Sequence, residues 1–144
     1  MTTFKTSREI PAPVQDVFAA FSDPERLARW WGPAGFTNTF NICEFTNGGR
    51  WSYLMHSPNG GNAKNESVFE QIEPRKKIVI DHNSEPKYRL TVDFAPSETG
   101  TLVSWSQEFE NPDVASRIAK IVIPANEQNL DRLTAEVLSE VALP

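Results

Sequence analysis

Between residues 36 and 109 the chain is cut by turn-forming residues at short, regular intervals. The breaks are Asn47-Gly48-Gly49, Ser57-Pro58-Asn59-Gly60-Gly61, Glu73-Pro74, Ser84-Glu85-Pro86 and Pro96-Ser97-Glu98-Thr99-Gly100. The segments between them are too short for helices of ordinary length. The breaks themselves are far shorter than the dozen or more residues that a parallel crossover needs. The spacing predicts six strands, over residues 36–45, 50–56, 65–72, 77–82, 87–95 and 101–109, joined as an antiparallel meander. Alternation assigns their faces. Trp51, Tyr53 and Met55 point one way, as do Ile78, Ile80 and His82, then Tyr88, Leu90, Val92 and Phe94, and finally Val103, Trp105, Gln107 and Phe109. The intervening Arg89, Thr91 and Asp93 are polar. Such a sheet is covered on one face and wet on the other.

The cover has to come from the flanks, where the hydrophobic period changes. Residues 4–10 read as a first strand, ended by Pro11 and Pro13. Val14, Val17, Phe18 and Phe21 then fall at i, i+3, i+4 and i+7, the apolar stripe of a short helix. Ser22-Asp23-Pro24-Glu25 reads as a capping box opening a second short helix that runs to Arg29 and is stopped by Trp30-Trp31-Gly32-Pro33. After the strands, Asn111-Pro112-Asp113 opens a helical stretch that Pro124 is expected to interrupt. Leu130, Leu133, Val137 and Val141 then recur at helical spacing, so a long amphipathic helix after Pro124 is expected to pack on the sheet. The fold class is α+β, a single domain over residues 1–144. Neighbouring helical residues point about 100° apart, so either one of Trp30 and Trp31 stays near the surface beside Phe36 and forms a homodimer contact, or both rings cap the open end of the core.

Charge and inventory exclude several functions. The chain has 14 Lys plus Arg against 19 Asp plus Glu, a net charge of -5, and its one basic run, Arg75-Lys76-Lys77, reads as a solvated strand start. Nucleic acid is therefore not an expected partner. No apolar window approaches the length of a membrane span, and Met1-Thr2-Thr3-Phe4-Lys5 lacks the apolar core of a signal peptide. A cytoplasmic location with no membrane partner is expected. The single cysteine, Cys43, excludes an internal disulfide, and His56 and His82 form no metal-ligand spacing, so no metal is expected. There is no P-loop, GxGxxG or GxSxG, and no cofactor is expected.

His82 ends an inward-facing run and is the one side chain placed for acid–base work, because imidazole titrates near neutrality. The competing reading is a strand-end histidine bonded to a backbone carbonyl. His56 alternates onto the other face from Tyr53 and is expected near the turn at Ser57. Glu66, Val68, Glu70 and Ile72 share a strand face in this alternation, either as a buried carboxylate facing Arg50 or His82 or as solvated strand-end carboxylates.

One set of motifs falls in a definite order along nearly the whole chain. Pro24-Glu25 is followed by Trp30-Trp31-Gly32-Pro33, Gly48-Gly49-Arg50-Trp51, Met55-His56, Pro58-Asn59-Gly60, Asn65, Val68-Phe69, Glu73-Pro74, Asp81-His82 and Leu130-Asp131-Arg132-Leu133. This order resembles the bacterial relatives of the heat-shock chaperone ATPase activator, a branch of the START-like (SRPBCC, helix-grip) superfamily. The resemblance implies a six- to seven-stranded antiparallel sheet curved around a long C-terminal helix, with two short helices after the first strand and a cavity between sheet and helix. It also brings a link to the stress response. The chain departs from the branch at Thr46-Asn47, where Arg-Pro is common, and at Ala125-Asn126, where Gly-Trp is common. Gln107 stands where relatives carry an apolar residue. The inward list makes Trp51, Tyr53, Met55, His82, Tyr88, Trp105 and Gln107 the candidate ligand-binding residues. The expected function is non-enzymatic binding of a hydrophobic or aromatic small molecule. The alternatives are a cyclase- or dehydratase-type enzyme working through His82 in the same cavity, and a chaperone partner like the activator.

Overall fold

Proline and glycine punctuate this chain where its elements end. The computed structural model describes residues 2–141. In order it contains β1 (Thr2–Ile10), α1 (Val14–Ser22), α2 (Pro24–Trp30), β2 (Thr37–Cys43), β3 (Gly49–His56), β4 (Asn62–Glu73), β5 (Lys77–His82), β6 (Tyr88–Pro96), β7 (Thr101–Phe109) and α3 (Pro112–Val141). The strands form one sheet in the order β1-β7-β6-β5-β4-β3-β2, antiparallel throughout. Six strands form the expected meander. The seventh, β1, returns to pair along β7 from Thr2 opposite Phe109 to Ile10 opposite Thr101.

One face of the sheet carries Trp51, Tyr53, Phe69, Ile78, Ile80, Leu90, Val92, Val103 and Trp105, all buried. Leu130, Leu133 and Val137 of α3 and Val17, Ala20, Phe21 and Leu27 of the two short helices close over that face. Ion pairs fix the helix that lies across it. Arg8 of β1 holds Glu127 and Asp131, and Glu136 takes both Arg26 and Arg29 of α2. Gly49 is required where β3 begins, because a Cβ there would lie 1.9 Å from the Glu44 carbonyl oxygen.

Four expectations need correction. The cap of α2 is Asp23, whose carboxylate accepts from Glu25 N at 3.0 Å, while Ser22 still belongs to α1. Pro124 does not interrupt α3, which is helical without a break from residue 112 to 141. A proline there removes only the bond to the Lys120 carbonyl, and both residues are exposed, so solvent can hydrate that carbonyl. Trp30 and Trp31 are both buried, at 1% and 4% exposure. Trp31 lies past the end of α2 in extended backbone, so the 100° rule for helical neighbours does not separate the two rings, which pack 5.7 Å apart. The aromatic patch expected to mark a homodimer contact is therefore not on the surface; the exposed large apolar residues among those described are Ile121 and Ile123 on α3. Finally, β4 shifts register between Phe69 and Gln71. Ser67 and Phe69 are buried, Glu70 is exposed, and the extra residue lets Ile72 rejoin the core, so Glu66, Val68, Glu70 and Ile72 do not share a face.

Candidate functional site

Where α3 crosses the end of the sheet nearest the β3–β4 turn and the start of β6, packing is incomplete. A cavity of about 180 Å³ remains there. Tyr53, Met55, Asn65, His82, Tyr88 and Gln107 line it from the strands. Trp31, Gly32 and Pro33 form a side wall, Pro86 stands beside His82, and Ile121, Val122, Ala125, Asn126 and Asn129 close it from α3. Ile121 is 68% exposed, so the cavity opens to solvent beside the helix.

Alternation thus places Tyr53, Met55, His82, Tyr88 and Gln107 together as expected. Trp51 and Trp105 share their face but lie away from the cavity. Trp51 stacks on Tyr53 at 4.6 Å and on Phe69 at 5.2 Å, and Trp105 packs 6.0 Å from Trp31. Those two rings fill the core. Asn65, Asn126, Asn129, Trp31 and Pro86 were not among the expected lining residues. The signal for Asn126 was present in the departure at Ala125-Asn126, because an amide replacing a large aromatic removes bulk and adds hydrogen-bonding groups.

The polar groups are held individually. His82 is 4% exposed and its ring stacks on Tyr88 with centroids 4.4 Å apart. Its Nδ1 lies 2.8 Å from the Pro86 carbonyl oxygen and its Nε2 lies 2.7 Å from Asn65 Oδ1. Burial depresses its pKa, opposed by the backbone groups of Pro86 and Ser84 and by Glu85, so the ring is neutral at pH 7. Tyr53 accepts from Trp31 Nε1 at 3.1 Å, and burial raises the pKa of both Tyr53 and Tyr88. Gln107 Oε1 accepts from Asn126 Nδ2 at 3.0 Å. Asn129 Oδ1 accepts from Gly32 N at 3.1 Å. Arg132 holds the same wall, donating to the carbonyls of Gly32, Pro33, Trp31 and Arg29.

Chemistry elsewhere is sparse. His56 lies between Thr39 Oγ1 and Asn62 Oδ1, outside the cavity lining. Glu66 accepts from Ser52 Oγ at 3.0 Å and sits 3.7 Å from Lys64 Nζ, so it is not the buried partner of His82 or Arg50. The Cys43 thiol is pushed up to about 11 by burial and is no nucleophile at neutral pH. Among the described residues no group of three or more His, Cys, Asp or Glu could hold a metal ion, and no helix is long and apolar enough to cross a membrane.

The arrangement of sheet and helices recurs in solved structures. A protein of Nitrosomonas europaea superposes with a TM-score of 0.88 at 17% identity, over 98% of this chain and 97% of that one. For a protein of Arthrobacter aurescens the TM-score is 0.86 at 27% identity, over 95% and 86%. For an AHSA1-like protein of Aeromonas hydrophila it is 0.75 at 18% identity, over 97% and 94%. No curated protein matches the sequence. The family model described as Activator of Hsp90 ATPase homolog 1-like protein matches residues 11–137, a span that runs from the end of β1 through both short helices and the meander into α3. Fold, motif order and family model coincide, and the chain belongs to the Activator of Hsp90 ATPase homolog 1-like family.

Proposed function

We propose that this domain binds a compact, mainly apolar small molecule between the sheet and α3, without catalysing its conversion. The observation that carries this reading is a cavity at the helix–sheet junction that is open to solvent and lined by Tyr53, Met55, Tyr88 and Val122 together with a few fixed polar groups. Its size narrows the occupant. At about 180 Å³ it is close to the roughly 150 Å³ cavity known to admit benzene, and below the roughly 300 Å³ at which drug-sized ligands are held. A single ring fits; a lipid chain with its headgroup does not.

The chemistry favours binding over turnover. Both ring nitrogens of His82 are engaged by the protein, none of the lining residues is Asp, Glu, Lys or Arg, and burial raises the pKa of the two lining tyrosines, so a substrate would find no base ready at neutral pH. Native mass spectrometry of the purified protein, followed by titration with toluene read by tryptophan emission, tests the reading. Trp31 forms part of the wall, so a bound ring is expected to change the emission saturably. A protein that carries no small molecule and shows no saturable response to toluene would overturn it.

A further inference from the structure

The polar atoms offered to a ligand are all uncharged, and they include both donors and an acceptor. Asn126 and Gln107 are joined by one hydrogen bond, Nδ2 to Oε1, which leaves Gln107 Nε2 and Asn126 Oδ1 without a partner among the described residues. Asn129 engages its Oδ1 with Gly32 N and leaves Nδ2. The Tyr88 hydroxyl makes no hydrogen bond within the described residues. None of these atoms belongs to the set that is sealed in the interior without a partner, so each keeps accessible surface on a residue that lines the cavity.

From this we infer that the cavity selects a neutral single-ring molecule bearing an amide, either a carboxamide or a cyclic amide. Its carbonyl would meet the amide N–H groups of Gln107 and Asn129, and its N–H would meet Asn126 Oδ1. This deepens the binding reading above and rests on it. An anion is rejected because nothing in the lining offsets its charge. Arg132, which stands behind the wall, already donates to four backbone carbonyls. A cation fails for the matching reason, as no carboxylate lines the cavity. A plain hydrocarbon fits by volume but leaves the three amides facing an apolar surface, which a site built to hydrogen-bond disfavours. His82 adds no positive charge at neutral pH, since burial holds its pKa down.

The test compares three probes of one size, benzamide, benzoate and toluene, titrated at pH 7 into ¹⁵N-labelled protein. The readouts are the dissociation constants and the side-chain NH₂ resonances of Gln107, Asn126 and Asn129. Benzamide is expected to bind at least about tenfold more tightly than either other probe, as three added hydrogen bonds imply, and to move those resonances. The double variant Gln107→Leu with Asn126→Leu replaces both members of the pair by groups of similar shape. It is expected to close most of the gap between benzamide and toluene, since of the three amides only Asn129 then remains to meet the ligand. Benzoate or toluene binding as tightly as benzamide to the wild type would overturn the inference and leave the binding reading standing. If none of the three binds at millimolar concentration, both are overturned. The wild-type comparison decides the matter even if the double variant does not fold.

Discussion

His82 meets a carbonyl oxygen at each ring nitrogen, and the two contacts are not equivalent. The Pro86 carbonyl can only accept, so Nδ1 carries a proton. Nε2 lies 2.7 Å from Asn65 Oδ1, which can only accept from it, and 3.4 Å from the Ser84 hydroxyl, which can donate to it when the ring is neutral; Asn65 Nδ2 is held by the Ala63 carbonyl. An unfolded histidine titrates near about 6.5, and burial depresses the folded value, so between the two the unfolded chain binds more protons. The contribution to stability is complete above about pH 6.5, falls as pH drops toward the folded pKa, and is constant below it. Urea denaturation followed from about pH 8 to about pH 4 is expected to show this loss, and His82→Gln is expected to remove that part of the pH dependence. A second prediction concerns Arg132, which closes the carbonyl end of α2 and holds the loop at Gly32. Arg132→Met leaves those carbonyls unmet and is expected to lower stability by about 2 kcal/mol in urea denaturation. At this scale the sequence was partly legible. Strand alternation places Gln107 inward and the change at Ala125-Asn126 marks lost bulk. That the two departures are partners of each other depends on how α3 lies over β7, which no local pattern encodes.

The strands were the most legible elements, because each is bounded by residues that cannot continue it and carries its own parity. Parity fails where the backbone inserts a residue. The bulge at Glu70 has no distinguishing side chain, so the face of Ile72 could not be read by counting from Glu66. The tryptophan pair failed for a related reason, since Trp31 leaves the helix one residue before its direction could be judged by helical geometry. Pro124 shows the limit of a strong local rule. Tertiary packing of Asn126, Asn129, Leu130 and Leu133 on one side and Ala115 on the other holds the helix through it. Pro124→Ala restores the N–H facing the Lys120 carbonyl, and is expected to raise stability by about 1–3 kcal/mol, measured as a higher melting temperature.

For the whole molecule, the two-layer arrangement and the face on which a cavity forms follow from the switch in hydrophobic period, whereas the cavity's volume does not. It depends on Trp51 and Trp105 filling the middle of the layer and on small residues, Gly32 and Ala125, leaving space at one end. Ala125→Phe places a ring into that space and is expected to abolish binding of toluene and benzamide in calorimetric titration. The cost in stability stays within the about 1–3 kcal/mol typical of added core volume. Retained binding in a folded Ala125→Phe protein would put the ligand elsewhere. The pairing of β1 with β7 has a further result, in time rather than in space. Every other strand pair is a hairpin that can close as soon as it is made, but Thr2–Ile10 has no partner until Thr101–Phe109 has left the ribosome. This strand, made before the whole meander, is thus among the last to be secured, and a nascent chain paused before residue 101 bears unmatched strand edges on both β1 and β6. That interval, more than any state of the finished protein, is when it is most open to aggregation.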